Sequence, residues 1–236
     1  MPLITYHGHS CITVKGSNGE IIIDPYLTGS KYADISPGEV DVDAVLITHG
    51  HDDHLGDALT IASQCDALVV APMELASFCR NRGIRKTHSM QIGGSYQFDF
   101  GWVKLTQALH GSCVIENGRI EYTGNPCGFL LRIDDSMIYH AGDTGLFGDM
   151  KLLGDMYEID AAFLPIGDNF TMGPEDALVA VGLLRPRIVV PIHYNTFDVI
   201  SQDADSFKKA VEENTNSACY VLEPGDSFEL TPGSRK

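Results

Sequence analysis

The chain has no apolar run approaching the roughly 18–20 residues that cross a bilayer, so its 236 residues are expected to include no membrane span. Basic residues are scarce. Sixteen Lys and Arg stand against 32 Asp and Glu, a formal net charge of −16. Affinity for nucleic acid rests on Lys and Arg neutralising phosphates, which argues against DNA, RNA and anionic membranes as partners. Remote surface charge is screened over about 8 Å at physiological ionic strength, so a small anionic substrate remains allowed. No Cys-x-x-Cys pair occurs among Cys11, Cys65, Cys79, Cys113, Cys127 and Cys219. Most of these lie among apolar neighbours and read as reduced core thiols of a cytoplasmic protein. The opening residues 1–7 lack the basic and apolar regions of a signal peptide and read as a first strand. With no Pro/Ser-rich linker to divide the chain, residues 1–236 are expected to form one domain.

What is present is a regular alternation of short apolar runs and turn residues. Hydrophobic residues make up 44% and charged residues 20%, a balance that excludes disorder as the main state. Residues 4–6, 11–15 and 20–24 read as a hairpin-rich start, and 44–48 as a buried strand. Helices are predicted over 57–64 and over 72–82, the latter with Pro72 at its start and Gly83 after its end, flanking a strand at 67–71. Strands follow at 87–90, 95–98, 103–109, 129–133 and 137–139. The second half continues with strands at 161–166 and 188–192, a helix at 174–184 between them, a helix at 205–214, and strands at 218–222 and 227–230. Hairpins mixed with strand–helix alternation imply a layered α/β (α+β) protein, with sheets inside and helices outside.

The densest chemistry lies at Thr48-His49-Gly50-His51-Asp52-Asp53-His54. Three imidazoles and two carboxylates follow an apolar strand, more donors than folding requires. Alternate side chains of a strand end share a face, so His49 and His51 can converge on one ion. Asp53 and His54, at the turn, can face a second. Imidazole with carboxylate suits zinc and other first-row divalent metals better than calcium or magnesium. Further donors end other strands: His110, Asp143 and His193. Seven groups exceed one tetrahedral zinc and match two metals sharing a bridging carboxylate.

The order and local contexts of these motifs resemble the metallo-β-lactamase superfamily over nearly the whole chain. The resemblance is carried by Ile23-Asp24-Pro25, the 48–57 stretch, Ala108-Leu109-His110-Gly111, Tyr139-His140-Ala141-Gly142-Asp143-Thr144 and Pro191-Ile192-His193-Tyr194. Tyr6-His7-Gly8-His9-Ser10 and Gly167-Asp168-Asn169-Phe170 look like a branch of metal-dependent hydrolases similar to ascorbate-6-phosphate lactonase and to N-acylphosphatidylethanolamine phospholipase D. The resemblance implies a four-layer αβ/βα sandwich with its active site at one edge. It implies that His49, His51 and His110 hold one metal, that Asp53, His54 and His193 hold the other, and that Asp143 bridges them, with a water between the ions as nucleophile. Zinc is the expected metal, with manganese, iron, nickel and cobalt as alternatives. Beside two divalent ions, Asp53 and Asp143 cancel only half the charge. Such a site favours a small phosphodiester, lactone or ester that develops negative charge on oxygen.

Other residues carry weaker expectations. Asp53, His7 and His9 are taken as catalytic groups, His7 or His9 as a substrate contact or proton donor. Asp24 is expected to orient a ligand histidine or the loop backbone. His140 reads as a histidine that supports a ligand or fills the core, His88 as structural, Asp168 as a helix cap, and Tyr194 as an alternative donor to an oxyanion. Phe98, Phe100, Trp102 and Phe129 read as core. A metal-dependent nuclease is the first rival reading, opposed by acidity and by a length with no room for a clamp domain. A non-catalytic metal-binding or regulatory module is the second, opposed by the complete donor set. A redox di-iron relative would carry Glu in place of His51. The oligomeric state is open and leaves room for a homo-oligomer.

Overall fold

In the computed structural model, which describes residues 1–231 and 233, the apolar alternation is resolved into two stacked sheets. The first half forms β1 (Leu3–Gly8), β2 (Cys11–Gly16), β3 (Gly19–Ile23), β4 (Ala44–Leu46), α1 (Asp52–Leu55), α2 (Ala58–Gln64), β5 (Leu68–Pro72), α3 (Met73–Asn81) and β6 (Thr87–Met90). The second forms β7 (Ser95–Phe98), β8 (Gly101–Gln107), β9 (Cys113–Glu116), β10 (Arg119–Tyr122), β11 (Cys127–Ile133), β12 (Ser136–His140) and α4 (Met150–Met156). It continues with β13 (Ala161–Pro165), α5 (Pro174–Leu184), β14 (Ile188–Ile192), α6 (Ala204–Asn214), β15 (Ala218–Cys219) and β16 (Ser227–Glu229).

The strand orders are β16-β1-β2-β3-β4-β5-β6 and β15-β14-β13-β12-β11-β8-β7. Both sheets combine antiparallel hairpins with parallel strands: β3 through β6 run parallel in the first, and β12 through β15 in the second. Strand pleating sends successive side chains to opposite faces. Ile21 and Ile23 therefore join the core between the sheets, while Ile22 joins the outer core of α2 and α3. In the second sheet, Ile188, Val190 and Ile192 face inward, whereas Val189 packs among the buried residues of α5 and α6. The result is the four-layer αβ/βα sandwich expected from the sequence. Fully buried side chains such as Phe129, Phe163 and Ile21 are each worth about 1.5–3 kcal/mol. They hold the two sheets in one fixed relation.

The departures from expectation are local. Between the expected strands at 103–109 and 129–133, where the sequence pattern assigns no element, lies the two-stranded β9–β10 ribbon. The unforeseen α4 is seven residues long with Gly154 inside it, too short and too weak in helix propensity to register as a periodic pattern. Of the four aromatics read as core, Phe98, Phe100 and Phe129 lie between the sheets, but Trp102 is only partly buried and packs on the outer face. Asp168 does not cap α5. Gly173 occupies that position, and Asp168 accepts from the N–H of Asn169 at 2.8 Å.

Candidate metal centre

Regular β4 pairing ends at Leu46, and residues 47–51 run on in an irregular path. His49 and His51 thus converge through a loop, not through the strand pleat that the sequence suggested. His49 Nε2 lies 3.0 Å from His51 Nδ1. Gly50 is what permits the loop to pack, because a Cβ there would run into the Thr123 hydroxyl and the backbone of Cys113. The single turn of α1 then presents Asp53 and His54 side by side. His110 follows β8, Asp143 follows β12 and His193 directly follows β14. The His110 and Asp143 loops are tied together, since the Leu109 N–H donates to Thr144 Oγ1 at 2.9 Å and the Gly145 N–H to the Leu109 carbonyl at 3.1 Å.

The donors fall into adjoining groups. His49, His51 and His110 form one, with His51 Nδ1 also 3.2 Å from His110 Nε2. Asp53, His54 and His193 form a second, which His9 joins, all within 4.8 Å of one another. Asp143 borders both. Its Oδ2 lies 3.5 Å from His110 Nε2, 4.0 Å from His49 Nε2 and 3.0 Å from His193 Nε2. Its Oδ1 lies 3.2 Å from His54 Nε2.

The Asp143 contacts do not form hydrogen bonds but have the lengths of coordination edges. His54 Nε2, Asp143 Oδ1 and His193 Nε2, which face the donor groups, are buried with no hydrogen-bond partner among the described residues, as is His193 Nδ1, which an ion on Nε2 would leave unpaired. Leaving such atoms unpaired costs about 1–3 kcal/mol each, so a group that uses them is called for. Bonds of 2.0–2.1 Å in a tetrahedral set place ligand atoms about 3.3 Å apart, close to the 3.0 and 3.2 Å seen around His51. The residues present fit divalent cations.

Charge points the same way. Burial first, then the neighbouring imidazoles, lowers the pKa of His49 well below the usual histidine range. Burial also lowers His51 and His110, which keeps lone pairs available. Burial opposes ionisation of Asp143, but His193 and His54 outweigh it and hold the carboxyl well below its ordinary value. Burial likewise disfavours a charged His54, yet Asp143, Asp24 and Asp53 drive it well above the ordinary imidazole range. His193, against its own burial, is raised by Asp143 to about 9. The carboxylates draw positive charge into a closed space.

Asp24 supports this centre from behind. Its Oδ1 accepts from the Thr48 N–H at 2.8 Å, and its Oδ2 accepts from Thr48 Oγ1 at 2.7 Å. His54 Nδ1 sits 2.8 Å from the same Oδ2. Asp24, His9 and His193 all hold left-handed backbone, with φ of 46°, 54° and 54°, a strain that clusters at functional sites. The two histidines of the opening turn part company. His9 Nε2 is 3.2 Å from Asp53 Oδ2, whereas the ring nitrogens of His7 engage Asp34 at 2.8 Å and Thr13 at 3.1 Å. His140 is a buried histidine whose Nε2 meets the Ser10 carbonyl at 2.9 Å while its Nδ1 accepts from the Gly142 N–H. Tyr194 packs with the outer core of the second sheet. Thr48 and Thr196, which contact His49 and His9, carried no signal in the sequence beyond the adjacency of Thr48 to His49.

This fold and donor set define a class. Residues 3–193 match the β-lactamase superfamily domain, and the chain belongs to that superfamily as a metal-dependent hydrolase. Its particular group is that of the UPF0173 metal-dependent hydrolases. The chain is 55% identical over 229 residues to such a protein of Bacillus velezensis, covering 96% of this chain and 99% of that one. It is 54% identical, with the same coverage, to the UPF0173 metal-dependent hydrolase YtkL of Bacillus subtilis. Among solved structures it is similar to Igni18, a metallo hydrolase from the hyperthermophilic archaeon Ignicoccus hospitalis, with a TM-score of 0.88 and 36% identity over 98% of this chain and 99% of that one. No helix among the described residues is long and apolar enough to cross a membrane.

Proposed function

We propose that this chain hydrolyses a small phosphodiester, lactone or ester, using two divalent cations. His49, His51 and His110 would hold one, Asp53, His54 and His193 the other, and Asp143 would be shared. The observation that carries this reading is the position of Asp143, whose two oxygens reach 3.5 Å from His110 on one side and 3.0 and 3.2 Å from His193 and His54 on the other. When bound, such ions would supply Lewis acidity and water activation near neutral pH, zinc suiting this donor set best and manganese, iron, nickel or cobalt also fitting.

The residues of the chain supply the rest. Asp53 and Asp143 offset only half the charge of two divalent ions, so the cleft favours an oxygen that gains negative charge during the reaction. Asp24 and Thr48 fix the rings of His54 and His49, and orientation of this kind sets ligand strength. A groove of about 460 Å³ opens beside His110, lined by Ile92, Gln107, Ala108, Leu109, Asn125 and Pro126. Among the described residues no Lys or Arg lines it, which suits an uncharged, partly apolar substituent flanking the scissile group. In this reading the chain acts as a single domain, because the donors come from both sheets and neither sheet alone has a full set.

The test is metal analysis of chain purified without added ions, then a screen of chromogenic phosphodiesters, lactones and thioesters with each metal restored. Two ions per chain and metal-dependent turnover of at least one class are expected. One ion per chain, or no turnover with any metal, refutes the reading.

A further inference from the structure

The ring of His9 is fully buried in the second donor group, although it comes from the turn between β1 and β2. Its Nδ1 lies 2.8 Å from Thr196 Oγ1, and that hydroxyl donates to the Tyr194 carbonyl at 3.4 Å. A Thr196 hydroxyl that donates to this carbonyl takes His9 Nδ1–H as its own donor, the tautomer that turns the Nε2 lone pair toward Asp53, His54 and His193. The same arrangement occurs across the cleft. Thr48 Oγ1 donates to Asp24 and lies 2.9 Å from His49 Nδ1, so that His49 Nε2 faces its own donor group. His54, with Nδ1 on Asp24, follows the same pattern. A histidine that binds metal through one nitrogen typically donates its other N–H to an oxygen. His7 and His140, by contrast, have both nitrogens engaged outside the donor groups.

We infer that His9 is a further protein ligand of the cation held by Asp53, His54 and His193, binding through Nε2 with its tautomer set by Thr196. This rests on the two-cation reading above. A lone pair aimed at a carboxylate oxygen 3.2 Å away is repulsive unless a cation lies between them, and the left-handed backbone at His9 is a strain that such a bond offsets.

The test compares wild type, His9→Asn and Thr196→Val, each titrated with Co2+ and followed by visible absorption and by competition with a chromogenic chelator. Asn tolerates the left-handed backbone at this position but is shorter than imidazole. His9→Asn is expected to weaken the second Co2+ at least about 10-fold and change its absorption bands, leaving the first ion unaffected. Thr196→Val, which keeps the imidazole, is expected to shift the second affinity about 10-fold in the same direction, and it keeps the inference testable if His9→Asn folds poorly. Unchanged second-ion affinity and spectra in both variants, with wild type binding two ions, overturn the role of His9 alone. Wild type that binds fewer than two ions overturns the two-cation reading and this inference with it.

Discussion

The backbone N–H of His193 donates to the carbonyl of His9 at 2.8 Å, joining the turn that follows β1 in one sheet to the end of β14 in the other. Their rings lie 4.2 Å apart between centroids. The centre is thus assembled across the seam between the sheets, and its donors depend on both halves keeping register. Several consequences can be measured.

Asp143→Asn keeps the volume of the side chain but removes the charge shared by both donor groups. Occupancy of both metals should fall, and kcat/KM should drop by at least about 100-fold, beyond what loss of an outer partner costs. Ions per chain by elemental analysis, alongside turnover, check it. Normal metal content with full activity would falsify the shared position.

His193→Ala removes a donor from one group only. After dialysis, one ion per chain should be retained, held by His49, His51 and His110. Loss of both ions at the same free-metal concentration would mean that the groups do not bind separately.

Asp24→Ala leaves the Thr48 N–H, the Thr48 hydroxyl and His54 Nδ1 without their acceptor in a fully buried setting. Unpaired buried donors cost about 1–3 kcal/mol each, so the metal-free protein should lose about 3 kcal/mol or more of stability. Metal affinity should fall by about 10–100-fold in addition. Denaturant midpoints of metal-free protein separate the first effect from the second.

His7→Ala should behave differently from any ligand variant. It strips Asp34 and Thr13 of a buried partner, for a cost of about 1–3 kcal/mol, and should leave the number of bound ions at the wild-type value. A lowered ion count in His7→Ala would show that this network reaches the metal centre.

Chelation should abolish activity and lower the melting temperature, because ligands bind the folded state alone. Metal at a hundred times its Kd contributes about 2.7 kcal/mol, or about 5–10 °C for a chain of this size. A thermal scan with and without chelator reads it. An unchanged transition would mean that the ions contribute nothing to the fold.

Much of this was legible before any coordinates. Runs such as Ile21-Ile22-Ile23 and Ile188-Val189-Val190, apolar at every position, mark strands buried on both faces, although which residue takes which face came from the structure. Donor chemistry is equally local, since an imidazole or carboxylate in the 48–54 stretch has its ligand character wherever the chain carries it. The sequence alone therefore determined the layered architecture and the kind of ion that its donors suit. What only the tertiary structure decided is distance between remote residues. That His9 enters the centre while His7 turns to Asp34, and that Thr196 stands behind His9, follow from how two sheets pack. Local periodicity carries no information about that packing, because it is set by side chains meeting from opposite halves of the chain.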